Sequence, residues 1–158
     1  MIDRLNRDKL AASCRHYMSG QINNFEFDEI NFTLHSKDAA IQEIKYDLWC
    51  LYDELKQHKN EGDYKIKGEN EAIVKRIILF LKTDQQYQWY KPNAIDQIKN
   101  YFAGLFRFKN YTKIIDTTKD GNREYWPFFS KEGYESALNE PKYFSKETEV
   151  ENNKNEIN

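Results

Sequence analysis

Between Ser36 and His58, apolar residues recur at spacings of three and four: Ala40, Ile41, Ile44, Leu48, Leu51, Tyr52 and Leu55. This is the signature of one face of an α-helix. Tyr46 and Trp49 fall off that face, on a second and half-polar flank. A helix with two apolar flanks belongs in the middle of a bundle, so Trp49 is expected to be the most buried of the three tryptophans. Ser36 is placed to cap the start, with Asp38 favouring the positive end and Lys56, His58 and Lys59 the negative end.

The same periodicity marks other helices. The first runs from Asp3 or Asn6 to Ser19 with Leu10, Cys14, Tyr17 and Met18 inward, and Gly20 suits the left-handed position just past its end. Asn23 or Asn24 then caps a short helix holding Phe27 and Ile30. After a loop containing Gly62 and Gly68, the stretch from about Asn70 to Lys82 is the most apolar of the chain. Only Glu71, Lys75, Arg76 and Lys82 in it are left for water. It is too short for the roughly 20 residues a membrane span needs and reads as a core helix packed on the central one. A fifth helix is expected from Asn93, with Ile95, Ile98, Tyr101, Phe102 and Leu105 on one face. Beyond it, Asp120-Gly121 between Tyr111–Thr117 and Arg123–Trp126 signals a β-hairpin, and Ser130 to Leu138 a closing helix with Tyr134 and Leu138 inward. The pattern therefore predicts a mainly α fold: a bundle of about five helices with a small C-terminal hairpin and a short closing helix.

The stretch Leu10 to Phe27 resembles the SHOCT family of short bacterial oligomerisation modules. The features that carry the likeness are a helix ending in Gly20, then Ile22, an N-cap residue at Asn23, and Glu26-Phe27. The resemblance implies a small helix–turn–helix at this place and covers only this part of the chain.

Composition narrows the classes. The 158 residues suffice for one domain, expected over residues 1–138, with a polar tail over residues 139–158. That tail holds five acidic and three basic residues and so accounts for the whole net charge of −2, leaving a balanced body. A near-neutral body predicts no strong pull towards DNA or anionic membrane. No apolar run follows the first residues, so no signal peptide is expected and the compartment expected is the cytoplasm. Richness in Lys, Asn and Ile fits an AT-rich bacterial genome.

Candidate chemistry is sparse. Cys14 and Cys50 form no Cys-x-x-Cys, and His16, His35 and His58 have no metal-ligand spacing, so no metal or cofactor is expected. No phosphate-binding glycine loop, nucleophile elbow or metalloprotease motif occurs, which favours a non-catalytic protein. Glu43, Asp47 and Glu54 follow spacings of four and seven and make an acidic stripe on the central stretch. Carboxylates four apart repel each other, so the stripe does not serve helix stability. It suits either a solvated face or a dock for a basic partner protein. Two ring clusters sit at element junctions, one with Tyr87, Trp89 and Tyr90 and one around Trp126. Such rings suit interface anchors or plugs of the core's ends.

Arg107, Lys109 and Lys113, interleaved with rings, would suit single-stranded nucleic acid. The reading that follows is a protein–protein interaction module, with an immunity- or antitoxin-like inhibitor as one concrete form. Its alternatives are a small enzyme with a non-standard site and, third, a nucleic-acid binder. Self-association is open to any of them.

Overall fold

The computed structural model describes residues 1–53, 55–89 and 121–139. Among them the chain is mainly helical, with α1 Arg4–Met18, α2 Asn24–Thr33, α3 Ala39–Trp49, α4 Glu69–Leu81 and α5 Lys131–Asn139, and no strand. The fifth expected helix, most of the hairpin and the tail lie outside the described residues. Of the hairpin's second arm, Arg123–Tyr125 form a 3-10 turn.

The organising helix is α1, which touches α2, α3 and α4. The Asp3 side chain accepts from the Asn6 N–H and caps it. Its inner face buries Arg7, Leu10, Ala11, Cys14 and Tyr17, the three-and-four spacing read from the sequence plus one charge. At its end Gly20 takes φ +73°, while the N–H groups of Gly20 and Gln21 donate to the carbonyls of Tyr17 and His16. This paired closure satisfies carbonyls that the helix itself leaves open. Asn23 then opens α2 with a reciprocal capping box to Glu26.

The central stretch is shorter than its periodicity suggests. The N-cap of α3 is Asp38, whose carboxylate accepts from the Ala40 N–H, and Ser36 instead donates to Asp3. The helix ends at Trp49, so Leu51 and Tyr52 continue its buried side from a turn and Leu55 is 84% exposed. The cause lies on α2. The buried Asn24 amide donates to the carbonyls of Asp53 and Lys56, its side-chain oxygen accepts from the His58 N–H, and its own N–H donates to the His58 carbonyl. Backbone groups that could have extended α3 are held there instead. His58 is consequently not at a helix end. It is buried, with Nε2 3.2 Å from the Tyr17 hydroxyl and its ring stacked 4.1 Å from Tyr64. Its Nδ1 lies 2.7 Å from the Lys56 carbonyl, which can only accept, so Nδ1 carries a proton.

On α4, Val74, Ile77, Leu79, Phe80 and Leu81 are buried as the apolar run requires. Lys82 is not left for water: it is 1% exposed, with Nζ 2.8 Å from Asp8. Nearby, Arg7 and Asp38 form a buried pair at 2.6 Å. Arg7 also donates to the Thr83 and Gln85 carbonyls, and Arg4 to those of Leu81 and Thr83. Cations thus sit on the negative end of α4, where its dipole favours them. On α5, Tyr134 is half-buried against Tyr125 and Phe128, but Leu138 points outward at 52% exposure. With a single buried residue, Ala137, α5 covers the core by one edge.

Candidate functional site

Asp47 and Cys50 lie at the end of α3, and the half-buried Trp89 and Trp126 come from two segments distant in sequence. With Ile73, Arg76 and Ile77 of α4, these residues line one open cleft of about 570 Å³. The acidic stripe and the junctional rings, read from the sequence as separate features, therefore meet through Asp47, Trp89 and Trp126. Glu43 stands one turn before Asp47 on α3, half-buried. Glu54, Tyr90, Arg107, Lys109 and Lys113 lie outside the described residues.

The ring cluster is fixed from within. The Trp89 indole N–H donates to the Pro127 carbonyl at 3.0 Å, and that of Trp126 to the Tyr87 hydroxyl at 3.2 Å. Behind them, Phe80 meets Tyr87 and the fully buried Phe128 edge-on, at 6.2 and 5.2 Å. Arg76 donates from Nε to the Trp126 carbonyl at 3.0 Å. These rings are thus both core and surface: their polar atoms are used inside, and part of their carbon surface faces the cleft.

The electrostatics are lopsided at Asp47. Burial and then the neighbouring Glu43 hold its carboxyl above the ordinary aspartate range, although the residue as a whole is exposed. No ion pair to it occurs among the described residues. Burial pushes the Tyr87 hydroxyl up to about 12. The bond from Trp126 works against the rise, while Glu43 and Asp47 add to it.

Trp49 corrects the sequence reading. It is 44% exposed, and Tyr46 beside it is 66% exposed, with ring centroids 6.4 Å apart. The second flank of α3 meets no neighbouring helix among the described residues and is presented outward, next to Asp47 and Cys50. The sequence signal was present, since both rings lie off the apolar stripe that Ile41, Ile44 and Leu48 bury.

Other candidate chemistry is weaker. Burial pushes the Cys14 thiol up to about 12, which removes it as a thiolate nucleophile at neutral pH. Cys50 is exposed. A second hollow of about 470 Å³ is lined by Tyr52, His58, Tyr64 and Lys65, but the His58 ring is committed to Tyr17 and Lys56. Among the described residues no group of three His, Cys, Asp or Glu is placed to hold a metal ion, and no helix is long and apolar enough to cross a membrane. Helix, turn and capped helix at Gly20–Asn23 form as the local signals require. Compared with known proteins, however, the chain significantly matches no family model, no curated protein and no solved structure.

Proposed function

We propose that this chain is a non-catalytic protein-interaction module that engages a partner with a basic surface through the outward face of α3 and the adjoining cleft. The observation that carries the reading is the exposure of Tyr46 and Trp49 directly beside Asp47, which has no ion pair among the described residues. Tyr and Trp anchor protein interfaces more often than other residues, and exposed apolar patches rimmed by polar groups mark such surfaces. Complementary charge around them speeds encounter with the right partner. A cytoplasmic inhibitor of immunity or antitoxin type is the concrete form that fits the chain's size and its lack of catalytic motifs.

The test is capture from a cell extract by the intact protein and by two variants, Glu43→Lys with Asp47→Lys, and Trp49→Ala. Both variants should keep the wild-type melting curve. The charge reversal should weaken capture at low salt, with a smaller deficit at high salt, because at about 0.1 M salt exposed charges reach only about 10 Å. Capture by both variants equal to wild type at low ionic strength would sink the reading.

A further inference from the structure

The cleft beside α3 has walls of unusual chemistry for its size. Both indole N–H groups are turned into the protein, on the Pro127 carbonyl and the Tyr87 hydroxyl, so Trp89 and Trp126 offer the cleft ring carbon and little else. Each indole is thereby held at its N–H, and aromatic carbon surface of this kind attracts cations. The floor is apolar, from Leu51, Ile73 and Ile77. Three carboxylates border it, Asp47, Glu69 and Glu124, against two resident cations, Arg76 and Arg123. Arg76 is already turned to the Trp126 carbonyl, and Arg123 is exposed.

From this we infer that the cleft receives a lysine or arginine side chain of the partner, with its alkyl stem on the apolar floor and its charged head between the indoles and Asp47. Long cationic side chains are built for such a site, since they bury a hydrocarbon stem while the head keeps polar company. The volume of about 570 Å³ falls in the range of small-ligand pockets and admits one such side chain with its flanking backbone. The Asp47 carboxylate has no ion pair among the described residues and stands one turn from Glu43 on α3, an arrangement that an arriving cation suits. An acidic or purely apolar side chain would leave that carboxylate facing a like charge or none. This inference rests on the interaction-module reading and specifies the chemistry of the partner.

Three end-blocked decapeptides test it, one alternating lysine with leucine and two carrying norleucine or glutamate in place of lysine. Affinities are measured by fluorescence anisotropy against wild type and Asp47→Asn. The lysine peptide should bind roughly tenfold tighter than the norleucine peptide, and Asp47→Asn should remove most of that margin, the scale of one partly desolvated charge contact. Asn is isosteric and the position is exposed, so the variant will fold, and an unchanged melting curve confirms this. Equal binding of lysine and norleucine peptides overturns the inference, as does a lysine affinity within twofold of wild type in Asp47→Asn. Partner capture by Trp49→Ala and Asp47→Asn separates the two levels. Capture that depends on Trp49 but not on Asp47 overturns the cation and keeps the module, whereas capture that depends on neither overturns the module itself.

Discussion

The two ends of α3 carry the same residue types to opposite ends. At its start, Asp38 is 3% exposed and bound by Arg7, by the Asp3 N–H and by its own helix at Ala40. At its finish, Asp47 is exposed, faces another carboxylate and has exposed rings for neighbours. One aspartate fastens three helices together, since Arg7 reaches from it to the carbonyls beyond α4. The other has no ion pair among the described residues. A buried charge that is fully partnered is explained by architecture. Asp47, beside aromatic surface, has no ion pair among the described residues, and the proposed partner is what would give it one.

The comparison breaks first at Arg7. Replacing it with Ala strands the buried Asp38, and losing one partner of a buried ion pair costs about 3–5 kcal/mol. Denaturant unfolding should show a loss of that size. A loss under about 1 kcal/mol would mean that the start of α3 is no more fastened than its finish.

Acid sharpens the same contrast. Burial works to raise the Asp38 carboxyl, but hydrogen bonds from Arg7, Asp3 and Ala40 and the Arg7 charge hold it below the ordinary range. Lys82 and Arg4 do the same for Asp8 against its burial, and Ser36 and Asn6 for Asp3. A carboxyl lowered by folding contributes stability that is present above its unfolded value of about 3.9 and lost as pH falls towards the folded one. Denaturation midpoints should therefore drop as pH falls below about 4, and the drop should be shallower in Arg7→Met. Asp47 has the opposite sign. Its contribution is present below the unfolded value and lost as pH rises through the folded one.

The smallest effect follows from that sign. At neutral pH, Asp47→Asn should leave stability unchanged or raise it by about 0.5 kcal/mol or less, the usual span for surface positions. A clear loss in thermal melts would show that Asp47 is structural after all.

Much of the helical frame was legible because its signals are local. Asp3, Gly20, Asn23 and the apolar run of α4 each act within a few residues, and each formed the cap, turn or core helix its chemistry dictates. What was not legible depends on distant partners. Lys82 read as solvated because charged residues are almost never fully buried unless paired, and its partner stands 74 residues away; the burial of Arg7 had no local signal either, its partner being 31 residues on. The end of α3 was misplaced because the competing hydrogen bonds come from Asn24, which no periodicity reports. The cleft was visible only as separate parts, since Asp47, Trp89 and Trp126 share no local pattern.

Asn24 has a further consequence, for how the molecule opens. Its side chain and backbone together make four bonds to residues 53–58, and each group released at one end orphans a group at the other. The first turn of α2 and the residues it holds, Asp53, Lys56 and His58, are therefore expected to open together as a unit. That unit begins three residues after Cys50, where α3 has just ended. Cys50 and Leu51 line the cleft, so that wall runs on in the chain into a clasp made by one buried amide that does not itself line the cleft.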